Sequence, residues 1–303
     1  MTRSGPEASC RQGMELGQRD NMSKSKVAVE IEDTATWPRR LYKTAMASRD
    51  VLVAYHLEMK RIDRLCEDDV FLRVNPPTNP HAAAYSTLIT ELESLLAGCS
   101  IVGYHCTRLT QNELQDIRQN GLQLLSPALL ESRLRSAYHQ GLLTPKQYEY
   151  LTTHPQIRSN LANENGNRTG MTFFCPNRST LADPPSVYRL FRSWGGEAFY
   201  CGLEGDSFVS MTIRSIGKPC LVKCQIPVRE MRPSYPCLAA RLASFLVIAD
   251  VDFPEPSFQF DLSIKRNLAA AEVEEIIEAG LDSFESLTRC GSWPERYGIH
   301  YGG

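Results

Sequence analysis

The chain has 303 residues, 42 % of them apolar and 22 % charged, which supplies a packed core for one large or two modest domains and excludes wholesale disorder. Lys and Arg number 33 against 35 Asp and Glu, a net charge of −2, so the basic excess of a dedicated nucleic-acid binder is missing. No run approaches the roughly 18 apolar residues that a bilayer span needs, and the N-terminus has no apolar signal segment. The ten cysteines include no C-x-x-C, and the six scattered histidines include no H-E-x-x-H, so a zinc site lacks support. Several cysteines alternate with apolar residues, as buried free thiols of a reducing compartment do. The sequons at Asn21, Asn167 and Asn177 then carry no meaning.

Residues 1–35 lack hydrophobic periodicity and read as a disordered leader. Thr36 and Pro38 open a helical stretch whose apolar face runs through Leu41, Leu52, Met59 and Leu65 and which Asn75-Pro76-Pro77 ends. A second helix is predicted over 81–97, and residues 36–98 form a helical N-terminal subdomain. At 99–109 the period changes to that of a strand, and a domain spanning 99–303 begins. Thr110-x-x-Glu113 is a capping box for a helix stopping at Gly121. Ser126-Pro127 and Thr144-Pro145-x-Gln147 start two more helices, the first ending at Gly141 and the second before His154, and 163–170 is a loop. A strand is expected at 171–175, a helix from Asp183-Pro184 to the Gly195-Gly196 break, and extended structure over 197–201. Further strands are expected at 219–228, 244–253 and 258–264, and a helix at 270–279. The fold class is α+β, a helical front with a mixed sheet behind it.

Three segments carry polar groups suited to chemistry. On the first long strand His105 and Thr107 share one face, with Tyr104, Cys106 and Arg108 on the other. In the 184–194 helix Tyr188 and Arg192 stand at i and i+4, an aromatic ring beside a guanidinium. In Ser193-Trp194-Gly195-Gly196-Glu197 two glycines allow a sharp turn and close approach to a ligand before a single carboxylate. Cleavage of the nicotinamide–ribose bond of NAD uses all three: an anion beside an oxocarbenium-like ribose, a strand gripping the carboxamide, an aromatic stack and a guanidinium on the diphosphate.

The order of strand His105-x-Thr107, helix, Phe173-Phe174 strand, Tyr188 helix and Glu197 resembles the ADP-ribosyltransferase superfamily over about residues 99–265. The resemblance implies an ADP-ribosyltransferase-like sheet core, with NAD as co-substrate and no metal. It makes Glu197 catalytic and His105, Thr107, Arg108, Phe174, Tyr188 and Arg192 cofactor-binding. Glu255 is the alternative carboxylate, since the superfamily Glu usually opens a late strand. Tyr104-His-Cys-Thr-Arg-Leu109 with Arg192-Ser-Trp-Gly-Gly-Glu-Ala198 is similar to a bacterial type III effector family, some members of which ADP-ribosylate a threonine of ubiquitin. That similarity implies a monomeric secreted effector acting on a host protein in the host cytoplasm, with neither nucleic acid nor membrane as partner. Two other readings compete: an inactive transferase-like binding module, and an NAD-dependent RNA 2′-phosphotransferase, for which the balanced charge offers no basic patch.

Overall fold

A computed structural model describes residues 28–162, 170–232, 237–251 and 261–299. Strand β1 (Ala28–Val29) leads through a tight 3-10 turn into helices α1 (Arg39–Ala47), α2 (Arg49–Asp68), α3 (Val70–Val74) and α4 (Ala82–Leu96). The single predicted helical stretch is therefore three helices. The chain breaks at Ser48, and at Asp69 the side chain caps α3 by accepting from the N–H groups of Phe71 and Leu72. Residues 28–35 correct the predicted leader: β1 pairs parallel with the next strand, and Val29 and Ile31 are buried. The remainder of the leader lies outside the described residues.

Strand β2 (Ser100–Leu109) is followed by α5 (Gln111–Asn120), where both bonds of the Thr110–Glu113 capping box form and Gly121 ends the helix at φ +81°. Helices α6 (Pro127–His139), α7 (Pro145–Thr153) and α8 (Pro155–Leu161) come next, the first two at their expected starts and the last unpredicted. The predicted 163–170 loop lies outside the described residues except Gly170. Strand β3 (Thr172–Phe174) precedes helices α9 (Arg178–Leu181), α10 (Pro184–Arg192), α11 (Glu197–Tyr200) and α12 (Ser207–Arg214). Strand β4 (Lys218–Pro227), helix α13 (Leu238–Val251), strands β5 (Leu262–Ile264) and β6 (Val273–Glu278) and helix α14 (Asp282–Thr288) complete the chain. The fold is mixed α and β, with sheet order β1-β2-β4-β6 and a separate β3-β5 pair.

Three local expectations were reversed. The 244–253 run is helical as far as it is described, because α13 is apolar nearly all round and buries itself against α2 and α4; a continuous apolar run has no period to distinguish strand from buried helix. Within the 270–279 segment, rich in Ala and Glu, residues 270–272 form a 3-10 turn and 273–278 are strand β6 on the edge of the sheet. A bulge opposite Lys223 and Cys224 interrupts its alternation, which is what the 2-residue period of a strand needs to be recognisable. Residues 197–200 form one helical turn, since consecutive Phe199 and Tyr200 both enter one core beside Trp194. A strand would have sent them to opposite faces.

The β2–β4 pair is the spine, in antiparallel register from Ser100↔Pro227 to Leu109↔Lys218. One face of the sheet (Ile101, Cys220, Val222, Cys224, Ile226) packs on α1, α2, α4 and α13, so the N-terminal helices share the core of the sheet. The other face (Val102, Tyr104, Cys106, Leu221) packs on Val187 and Phe191 of α10 and Phe284 of α14. A third cluster joins α6, α7, α8, α11 and α12. No helix among the described residues is long and apolar enough to cross a membrane.

Candidate active site

The free edge of β2 creates the cleft. β1 covers only Ser100 and Ile101, and Cys175, just past β3, exchanges both backbone bonds with Tyr104 at 2.9 Å. Beyond Tyr104 the strand borders a cavity of about 270 Å³, lined on this side by His105, Cys106 and Thr107. Backbone direction alternates along a strand, so the N–H and C=O of Cys106 point the same way as those of Tyr104, along the cleft. Gly103 lets β3 lie this close: a Cβ there would stand 2.6 Å from Ile226 and 3.0 Å from Phe174.

His105 Nδ1 lies 3.0 Å from the Phe173 carbonyl. Burial drives the His105 pKa down, against the pull of that bond and with help from nearby Arg133. The ring is therefore neutral, with Nδ1–H donating to the carbonyl and Nε2 an acceptor. Phe174 is buried with its ring 5.9 Å from that of His105, and Thr107 is nearly buried in the same wall.

The opposite wall comes from α10 and the turn after it. Pro185, Ser186, Arg189 and Leu190 face the cleft, as residues spaced i, i+1, i+4 and i+5 must on a helix. Gly195 (φ +95°) and Gly196 (φ +81°) then swing the chain so that Glu197 opens α11 inside the cleft. A Cβ on Gly195 would sit 2.4 Å from the Phe199 ring, so this turn requires glycine. Glu197 lies 3.5 Å from Arg189 Nη1, and Arg189 also pairs with Glu204.

Of the residues singled out in the sequence, His105, Thr107, Phe174 and Glu197 meet in this cleft. Three do not. Arg108 points to the opposite face of β2, where its buried guanidinium donates to the carbonyls of Ile216 (3.0 Å), Phe191 (3.0 Å) and Gly217 (2.7 Å). It ties β2 to α10 and to the start of β4, so its expected cofactor contact is corrected to a structural role. Tyr188 and Arg192 occupy the neighbouring face of α10: the Tyr188 ring packs edge-on against Tyr297 at 5.0 Å, and the Arg192 guanidinium lies 5.0 Å from the Tyr188 ring. Their pairing is as the i, i+4 spacing implied, but it is directed away from the cavity. Glu255 lies outside the described residues.

The cleft also holds groups the sequence reading passed over: Arg133 from α6, Arg189 and Asp261. Arg189, three residues before the expected Arg192, was legible as the residue one helical turn after Pro185 and Ser186. Arg133 and Asp261 had no local signal, because only the tertiary fold brings α6 and the approach to β5 to β2. Among the described residues no group of His, Cys, Asp and Glu is arranged to hold a metal, and the nine described cysteines are free thiols.

No family model, curated protein or solved structure matches this chain.

Proposed function

We propose that the cleft cleaves NAD at its nicotinamide–ribose bond and transfers ADP-ribose to a protein hydroxyl, on an ADP-ribosyltransferase-like core. One observation carries the reading: His105 and Thr107 on the edge of β2, the Phe174 ring, and Glu197 from some ninety residues later line one cavity. In the proposed mechanism the Cys106 backbone grips the nicotinamide carboxamide, as its orientation along the cleft allows. His105 Nε2 accepts from a ribose hydroxyl. The C–N bond breaks with its electron pair leaving on nicotinamide, and the Glu197 carboxylate stabilises the cationic ribose. The acceptor oxygen attacks the anomeric carbon and passes its proton to Glu197. Arg189 takes the place the sequence reading gave to Arg192, because it is the arginine of α10 that faces the cavity. The acceptor we propose to test first is ubiquitin, with a threonine as the modified residue, in line with the effector-family similarity and a host-cell site of action.

The test is transfer of label from biotinylated NAD to ubiquitin and to a eukaryotic lysate. Wild type labels an acceptor, and Glu197→Gln loses labelling by about 10²-fold or more, the scale of a lost transition-state electrostatic contact. No labelled acceptor together with no NAD binding overturns the enzyme reading and leaves a binding module. Labelling that persists in Glu197→Gln moves the catalytic carboxylate elsewhere.

A further inference from the structure

We infer that Arg133 is the cleft cation that holds the anionic part of the ligand, and that buried Glu113 is the positioning residue that aims it. Glu113 begins as a local feature, the N3 residue of the α5 capping box, with Oε2 accepting from Thr110 N–H at 2.7 Å. The same Oε2 accepts from the Trp194 indole N–H at 2.9 Å. That bond fixes the residue immediately before the Gly195-Gly196 turn that places Glu197. The second oxygen, Oε1, makes no hydrogen bond within the protein, and 3.2 Å away stands Arg133 Nε. Glu113 is 7 % exposed and the Arg133 side chain 18 %, so this ion pair is held largely out of water.

A capping box alone requires neither a second buried oxygen directed at a cation nor an arginine that reaches the cleft. Two turns of physics follow from the arrangement. The Glu113 carboxylate lies against the Nε side of the guanidinium as an ion pair, which leaves the terminal Nη fork to present paired donors to a ligand. Holding the fork from behind by a buried carboxylate removes the rotamer entropy that an unsupported arginine loses on binding. Arg135, two residues along α6, shows the contrast: its side chain is 58 % exposed and pairs with Glu131 on the surface. Planar paired donors in a half-buried cleft suit a phosphate or diphosphate, and Arg189 across the cavity, tied to Glu204 and Glu197, supplies a second guanidinium. The assignment rests on the NAD reading only in naming the diphosphate as the natural ligand group.

The experiment is calorimetric titration of the full chain with inorganic pyrophosphate, then with NAD. Arg133→Gln weakens pyrophosphate binding about tenfold or more, as loss of a bidentate charged contact does, while Arg135→Gln leaves it unchanged. Glu113→Gln is designed to separate cap from aim. Its carbonyl keeps the bonds from Thr110 and Trp194, and its neutral NH2 then replaces the anionic oxygen 3.2 Å from Arg133 Nε. It weakens pyrophosphate severalfold per folded molecule and raises the KM for NAD with little change in kcat, a split that loss of a helix cap alone would not produce. Arg133→Lys tests the fork itself: it keeps the charge, loses the paired donors, and binds pyrophosphate as weakly as Arg133→Gln. Failure of wild type to bind pyrophosphate, or equal binding by Arg133→Gln, overturns the inference; wild-type pyrophosphate affinity in folded Glu113→Gln overturns the role of Glu113. Pyrophosphate binding that depends on Arg133 without any NAD binding leaves the anion site standing and removes the NAD reading. NAD turnover indifferent to Arg133→Gln does the reverse.

Discussion

Arg108→Met separates a structural arginine from a ligand-binding one. The guanidinium donates hydrogen bonds at 2.7–3.0 Å to three carbonyls, of α10 and of the turn leading into β4, those to Ile216 and Phe191 buried and the one to Gly217 partly so. Bonds from a charged donor are worth about 1.5–3 kcal/mol each. Opposing this, burial holds the Arg108 pKa at about 10 against an ordinary 12.5, a penalty of about 3 kcal/mol on the charged form that methionine does not carry. The bonds win, and the expected net loss is about 4 kcal/mol, a large part of the ~5–15 kcal/mol that stabilises a typical domain. At this chain length that corresponds to a fall of about 8 °C in Tm. Arg108→Lys retains the charge but reaches fewer of the three carbonyls and falls between the two. The assay is urea unfolding followed by tryptophan fluorescence, with NAD binding measured on the folded protein. A variant as stable as wild type that has lost NAD binding refutes the structural assignment and returns Arg108 to the ligand.

Gly121→Ala forces a Cβ to within 1.9 Å of the Leu268 carbonyl oxygen at φ +81°, so a stability loss above about 3 kcal/mol is expected in chemical denaturation, whereas Gly98→Ala, with open space at its Cβ, is neutral. Burial pushes the Cys220 thiol up to about 12 and raises Cys224 as well, so iodoacetamide at pH 8 should label exposed Cys201 while these two react only after unfolding, as peptide mass mapping would show. Burial lowers the pKa of His105 and of His56 below 6.5, so the unfolded chain binds more protons than the folded one as pH falls through that value. Stability should therefore decline from pH 7 towards pH 5.5, and His105→Gln should flatten the slope without removing it, because His56 still contributes. An unchanged slope in that variant would show that His105 titrates normally.

What was readable in the sequence depended on whether the signal was local. The Thr110 and Thr144 capping boxes, the Ser126-Pro127 start and the β2 strand rest on neighbouring residues, and each formed where expected. His105 and Thr107 were legible because strand alternation assigns faces without knowledge of the fold. Arg108 was misassigned because the same alternation sends it into the interior, where backbone carbonyls rather than a ligand receive it. Glu197 was legible from the two glycines that turn it into the cleft, although it stands at a helix start and not in the extended segment expected there. Helix α13 and strand β6 were misread because each is decided by its partners, a helical layer in one case and a bulged sheet edge in the other. Arg133 and Asp261 are functional candidates only through tertiary proximity.

The β2–β4 pairing also governs how the chain acquires its structure in time. Every residue from 110 to 217, including α5 to α12, is an excursion between two strands that lie side by side. Closing so long a loop before any ladder bond rewards it gives high contact order, and high contact order means slow folding. On the ribosome, β2 leaves the tunnel on the order of ten seconds before β4 exists, at typical elongation rates. Helices α2 and α4 wait longer still for α13, their packing partner near residue 250. A polypeptide truncated at residue 217 would thus display a ten-residue strand stripped of its β4 ladder and uncovered apolar helix faces, and should aggregate rather than form a smaller native unit.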